Sequence, residues 1–404
     1  MSTSFLYHAF GLRDHKYIHS RYENGQIIFA VKLKADTIRC PVCKNRKVTW
    51  RGSVKRRLRG IPIGKKPVFI EVDIQRVFCP TCHLVRQVHL RFADWRRCYT
   101  RAFACYAAQL CRYMTIKDAA RHLKVGWDTI KNIQKAQLIK RFKRIKLKHL
   151  KRLAIDEISI GKGHRYLSIV MDLFTGAVVF VGDGKGADAL APFFRRLKRS
   201  GARIEAVAID MSAAYIRALR ENLPEACIVF DHFHVVKLFN EKLSELRRQL
   251  YHQVKDQLQK KVIKGTRWLL LKNPENLDAS RDEPDRLKEA LEVNRPLAAA
   301  YYMKEDLRRL WMQPDKKTAR KFLIDWIYRA GSSRVPMLFK MARTVATHIE
   351  GILAYYDYPI STGPLEGTNN KIKTMRRQAY GFRDHQFFKL QILALHETKY
   401  ALVG

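Results

Sequence analysis

The sequence predicts a multidomain α/β protein: a zinc ribbon and a helix-turn-helix region, then a mixed-sheet domain interrupted by an all-helical insertion. Three observations carry that expectation. Two Cys-x-x-Cys pairs stand at Cys40/Cys43 and Cys79/Cys82. Helical spacing broken by a glycine turn fills the stretch from Thr100 to Lys140. From Leu153 onward, hydrophobic strands joined by tight turns give way to alternating helix and strand.

The chain has 404 residues, of which 78 are Lys or Arg and 37 are Asp or Glu, for a net charge of +41. A folded chain this basic repels itself unless a polyanion neutralises it, and nucleic acid is the commonest one. A hydrophobic fraction of 47% excludes a disordered polycation. No apolar run is long enough to cross a membrane, so no membrane partner is expected. The opening Met1-Ser2-Thr3-Ser4-Phe5-Leu6 lacks the basic and apolar regions of a signal peptide. Both features point to the cytoplasm, where cysteines serve as thiols or metal ligands.

Residues 1–97 are assigned to the ribbon. Each of Cys40-Pro41-Val42-Cys43 and Cys79-Pro80-Thr81-Cys82 can form a knuckle presenting two thiolates. Four thiolates complete a closed tetrahedral site, so the expected zinc is structural. Gln26–Leu33 and Val68–Ile74 read as strands. Cys98, Cys105, Cys111 and Cys227 show no pairing and are expected as small core residues. Lys55, Arg56, Arg57 and Arg59 make either a phosphate-contacting edge or a solvated charge run.

Residues 98–150 form the second region. A capped helix over Thr115–Leu123, a turn at Val125-Gly126 and a helix from Trp127 describe a helix-turn-helix, although an ordinary helical hairpin has the same pattern. In the DNA-binding reading Trp127, Thr129 and Lys131 enter the major groove. The linker Arg141–Arg152 carries seven Lys/Arg and no acid, and Arg141, Lys143 and Arg144 are expected on a phosphate backbone.

Leu153–Ile160 reads as a buried strand carrying Asp156, and Ala206–Ile209 as another ending at Asp210. Three hairpin-linked strands followed by alternating helices and strands is the order of a ribonuclease-H-like fold, which sets these aspartates on neighbouring strands. Its first part spans 151–255. Residues 256–350 read as the all-helical insertion, whose Trp268, Trp311 and Trp326 either pack its core or stack on a displaced base. Residues 351–404 return to the catalytic part. There Gly363 is the expected N-cap, Pro364 the first helical residue, and Glu366 sits in a first turn that favours its charge. Leu365, Thr368, Ile372, Met375 and Ala379 form the expected core stripe. Glu366, Asn370 and Lys373 share another face.

Asp156, Asp210 and Glu366 are expected to converge on two magnesium ions (or manganese), the arrangement that in-line displacement at phosphorus requires. Asp231, His234, Asn370 and Lys373 would support them, and Lys371 would contact DNA. Asp231 is also open as a replacement for one of the three acids, and Glu157 and Asp172 lie close in sequence.

The segments Ala154-Ile155-Asp156-Glu157, Ala208-Ile209-Asp210-Met211, Val229–Val236 and Gly363–Asn370, with the ribbon and helix-turn-helix, resemble the ISL-three family of bacterial insertion-sequence transposases over nearly the whole chain. The resemblance implies a DDE transposase of the bacterial cytoplasm. It would bind the terminal inverted repeats and target sites of double-stranded DNA, then cut and join strands as a homodimer or larger assembly. A ribonuclease-H-like nuclease or resolvase, and a DNA-binding regulator with an inert core, are the competing readings.

Overall fold

The computed structural model describes residues 5–161, 163 and 165–397. The chain forms two compact units: Ile145–Gly381, and the segments on either side of it.

The first unit begins with helix α1 (Phe5–Phe10) and strands β1 (His15–Glu23), β2 (Gln26–Leu33), β3 (Thr49–Ile63), β4 (Lys66–Cys79) and β5 (Leu84–Gln87). The sheet order is β1-β2-β4-β3, with β5 also on β4. Asn24 and Gly25, both at positive φ, close the first hairpin as a two-residue turn requires. In β4, Val68, Ile70, Val72 and Ile74 alternate inward and pack with Leu6, Phe10, Ile27 and Leu58. Period-two burial thus turns one face of this sheet into a core.

Helices α2 (Arg101–Leu110), α3 (Ile116–Leu123) and α4 (Trp127–Phe142) follow. Thr100 and Thr115 cap α2 and α3 by accepting from the amides of Phe103 and Asp118. Lys124 ends α3 in the left-handed conformation, and Gly126 starts α4. Phe103, Ala107, Cys111, Leu123, Ile130 and Ile133 bury between the three helices. Cys111 is therefore the expected core residue, but Cys98 and Cys105 are exposed and Cys227 only half-buried. The C-terminal helix His385–Leu393 sets Phe387 and Leu390 against Leu138 of α4. The segment from Phe382 therefore belongs to this unit, whereas 351–404 as a whole was expected in the catalytic part. At the other boundary, Leu147 and Leu150 lie in the core of the second unit, so its packing begins inside the expected linker.

The second unit contains β6 (Arg152–Gly161), β7 (Arg165–Asp172), β8 (Val178–Asp183), α5 (Ala187–Ser200), β9 (Ala206–Ile209), α6 (Ala213–Asn222), β10 (Cys227–Phe230) and α7 (His232–Gln253). Its sheet runs β10-β9-β6-β7-β8, with β7 antiparallel to both neighbours and the β6, β9 and β10 pairs parallel. This is the ribonuclease-H-like order. β6 sits at the centre, and the chain switches there from hairpins to crossovers.

From Gln257 to Leu353 the described residues are helices and turns: α8 (Gln257–Gly265), α9 (Arg267–Leu271), α10 (Glu283–Val293), α11 (Arg295–Arg308), α12 (Lys316–Ser332), α13 (Pro336–Thr347) and α14 (Ile349–Leu353). The tryptophans differ in exposure, and only Trp326 fits the core-packing expectation outright. Trp326 is fully buried and donates to Met303 O at 2.9 Å, while Trp268 is 65% exposed. At Gly351 a Cβ would lie 2.4 Å from the Phe230 ring, so only glycine lets α14 close on the end of β10. Helix α15 (Gly363–Gln378) then packs on β6.

Candidate active site

The parallel register pairs Ala154 of β6 with Ala208 of β9. Two residues further along each strand direction stand Asp156, within β6 and still paired with Ile169 of β7, and Asp210, just past the end of β9 where open α/β sheets place their ligands. Asp156 is held from two sides: its Oδ1 accepts the Glu157 amide at 2.7 Å, and its Oδ2 accepts Asn369 Nδ2 at 2.7 Å. Asp210 accepts the Ser212 amide at 3.0 Å, which shapes the turn into α6. Glu366 lies in the first turn of α15, with Oε1 3.7 Å from His234 Nε2 on α7.

Electrostatics join these groups into one neighbourhood. Burial raises Asp156, and the charge of Asp210 adds to it, while His234 and Lys237 work against it. Glu366 is raised by burial first, with Asp231 and Asp156 adding to it. Glu157 is also raised, by burial above all, and accepts the Tyr215 hydroxyl at 3.1 Å. Among the described residues, however, no three carboxylates bring their oxygens within 4.8 Å of one another. Like charges in a poorly solvated space repel one another, and a bound cation would offset that repulsion.

Their chemistry suits such a cation. The donors are hard oxygens, and Asn369 Oδ1 and His234 Nε2 are buried with no hydrogen-bond partner among the described residues. A divalent ion would favour the ionised forms that burial disfavours.

Several expected residues fall elsewhere. Asn370 and Lys373 are exposed, and Asn369 makes the contact to Asp156. The helix starts one residue earlier than its sequence pattern suggests: Thr362 is the N-cap, Gly363 and Pro364 follow, and Asn369 replaces Thr368 in the buried stripe. Ala379 lies beyond it, exposed. Asp231 is 1% exposed with its oxygens occupied. It caps α7 through the Phe233 amide, accepts the Thr362 amide at 3.2 Å and the Thr362 hydroxyl, and pairs with His232. It is a clamp between α7 and the start of α15. Asp172 holds the β7–β8 turn by accepting from Phe174 and Thr175, and opposes Leu153 near the start of β6. The position of Lys237, one turn after His234 on α7, had no signal in the sequence beyond helical spacing.

The basic positions of the first unit are mixed. Lys55 and Arg57 are exposed on β3, although Arg57 also donates to Gln26. Arg56 bonds the Arg97 carbonyl. Arg59 is buried: it donates to Leu123 O at 2.8 Å and lies over the Phe69 and Phe103 rings, so it braces the sheet against the helices and does not meet phosphate. Trp127 is exposed at the start of α4 and Thr129 half-buried, while Lys131 pairs with Asp384 at 3.4 Å. Arg141, Lys143, Arg144 and Lys371 are exposed.

The four ribbon cysteines meet. Their sulfur atoms lie within 4.8 Å of one another, with Cys43 and Cys79 at 3.4 Å and Cys40 and Cys82 at 3.9 Å. A tetrahedral zinc with bonds of about 2.3 Å sets its sulfurs about 3.8 Å apart, so the cage fits. Lys44 and His83, immediately after each pair, both take the left-handed conformation that turns the knuckle. The neighbouring sulfurs, Cys43 first, drive the Cys82 thiol up to about 12. Such a thiol keeps its proton at neutral pH until a bound metal displaces it to solvent.

Family models match in three places: a transposase model of the ISL3 type over residues 153–392, the helix-turn-helix domain of transposase family ISL3 over 88–137, and the zinc finger of IS204/IS1001/IS1096/IS1165 transposases over 36–82. The transposase for insertion sequence element IS1001 of Bordetella parapertussis is 34% identical over 367 residues, covering 90% of each chain. The chain belongs to the ISL3 family of transposases. The transposase for IS1557 of Mycobacterium tuberculosis is 29% identical over 410 residues, covering 95% of this chain and 91% of that one. Among solved structures, the Drosophila P element transposase strand transfer complex aligns with a TM-score of 0.37 and 12% identity, over 74% of this chain and 91% of that one. This ISL3 transposase is thus a DDE-type enzyme that binds DNA and carries a structural zinc ribbon. No described helix is long and apolar enough to cross a membrane.

Proposed function

We propose that Asp156, Asp210 and Glu366 hold two divalent cations, magnesium or manganese, and that the enzyme uses them to cut and join DNA strands at the terminal inverted repeats of its own element. The observation that carries this reading is the register that sets Asp156 of β6 beside Asp210 at the end of β9, with Asn369 tying Asp156 to the helix that bears Glu366. When bound, the ions supply charge stabilisation for the entering and leaving oxygens of an in-line displacement at phosphorus.

The chain's own residues do the rest. Asn369 and the Glu157 amide fix the Asp156 carboxylate in one rotamer. The α15 macrodipole favours ionised Glu366 in its first turn. Lys237 and His234 place positive charge and hydrogen-bonding capacity beside Asp156 and Glu366.

The helix-turn-helix presents Trp127 and neighbouring residues to the DNA groove, and a second copy of the chain brings the other end of the element. This work takes place in the cytoplasm, on the nucleoid. The test is a strand-cleavage assay on a duplex carrying one end of the element, with magnesium supplied or withheld. Nicking or cutting at the element boundary that requires the metal is expected. Metal-independent cutting, or none on any end, overturns the reading.

A further inference from the structure

Helices α7, α8 and α9 line an open pocket of about 410 Å³ where α7 meets the helical insertion. Arg247, Arg248, Lys264 and Arg267 line it together with Tyr251 and Trp268, and no carboxylate does. None of the four cations has an ion-pair partner among the described residues. Glu245, the acid that feels Arg248, is already paired with Lys242 at 3.0 Å. Arg247 donates to Ile263 O at 3.2 Å, and its Nε is buried without a hydrogen-bond partner among the described residues. Burial lowers the Arg247 guanidinium, and the charges of Arg267 and Arg248 lower it further. Concentrating unpaired positive charge is costly unless an anion is bound there.

The helix that carries the aromatic component is held in place. Leu269 and Leu270 are buried in the core of the unit, which fixes the register of α9 and leaves Trp268 on the surface at 65% exposure. Arg267 lies 4.8 Å from the centre of its ring. An exposed indole face beside a cationic floor matches the two halves of a nucleotide: an unstacked base on the ring and its phosphates on the arginines. The cavity also shares α7 with the active site. His234 and Arg247 are thirteen residues apart on that helix, about 20 Å along its axis.

We infer that this pocket captures an unpaired nucleotide of a DNA strand, stacking its base on Trp268 and binding its phosphates through Arg248 and Arg267. The inference rests on the reading of the chain as a DNA-strand-processing enzyme, and its test separates the two.

The probe is a duplex with a short single-stranded thymidine overhang bearing one 5-iodouracil, compared with the same duplex blunt-ended. The full-length protein should prefer the overhang, and photo-cross-linking should mark a peptide containing Trp268 or Tyr251. Trp268→Ala should weaken overhang binding roughly 5- to 150-fold, with Trp268→Phe retaining most of it. Replacing both Arg248 and Arg267 by alanine should lower the salt dependence by about one to two units of slope. Because Trp268 is exposed, the alanine variant should melt like the wild type. Cross-links confined to other peptides, or undiminished overhang preference in Trp268→Ala, overturn the inference. Metal-dependent cutting by the wild type tests the underlying reading separately.

Discussion

Asn369 Nδ2 donates to Asp156 Oδ2 across 2.7 Å, joining α15 to the central strand β6 although the two residues are 213 positions apart. The same helix bears Glu366 one turn earlier, so this bond sets the distance between two of the proposed ligands. Asn369→Ala should lower cleavage about 10- to 100-fold while DNA binding stays near wild type, as expected when an orienting partner of a metal-binding carboxylate is lost. Asn369→Asp should be worse, since it sets a second carboxylate against Asp156. Single-turnover cleavage beside an equilibrium binding assay distinguishes the outcomes, and equal activity in all three proteins would remove Asn369 from the site.

Alanine at Asp156, Asp210 or Glu366 should each cut strand cleavage by at least about a thousandfold, the loss expected when a charge-stabilising ligand disappears. Binding to the element end should change little, because that contact is assigned to the helix-turn-helix. A variant that still cuts at the wild-type rate drops its residue from the proposed set.

Asp231 gives a pH prediction. Burial alone would raise its carboxyl, but hydrogen bonds from His232, Thr362 and the Phe233 amide outweigh it and hold the group below the ordinary aspartate range. A depressed folded pKa contributes stability that is present above the unfolded value and lost as pH falls through the folded one. Thermal stability of the wild type should therefore decline on acidification below the normal aspartate range. Asp231→Asn, less stable at neutral pH by about 1–3 kcal/mol, should lose less over that interval. Parallel melting curves in the two proteins would place the stabilisation elsewhere.

Removing zinc should act on folding and not on phosphoryl transfer. Metal analysis should find about one zinc per chain, as a four-thiolate site requires. Cys40→Ser and Cys79→Ser should lose it and destabilise the ribbon. The matching measurement is a melt with and without chelator. An unchanged melting temperature in the variants would contradict a structural role.

DNA binding should weaken steeply with salt. If six to ten phosphates are contacted, affinity should fall about 10³- to 10⁵-fold between roughly 50 and 200 mM salt. A flat titration would deny that the charge of +41 is used on the backbone.

Local patterns in the sequence went a long way with this protein. Alternation marked β6 and β4, matched knuckle spacing marked the zinc cage, and capping residues and turns marked the helix-turn-helix. The order of elements from β6 to α7 sufficed for the sheet topology, because crossover handedness and hairpin geometry leave few alternatives. Each of these signals is carried by neighbours within about two turns or one hairpin, where backbone geometry dictates contact.

What the tertiary structure decided lies between distant segments. Asn369 and not Asn370 faces Asp156, because Asn369 shares the buried face of α15 with Leu365 and Ile372, and Asn370 lies about 100° round the helix from it. Arg59 is buried because α2 and the end of α3 cover its side of β3, which no property of a basic run reveals. Asp231 became a clamp only when Thr362 arrived 131 residues later to occupy it. Burial and partnership across such separations depend on how whole elements pack, and local residue patterns do not encode that.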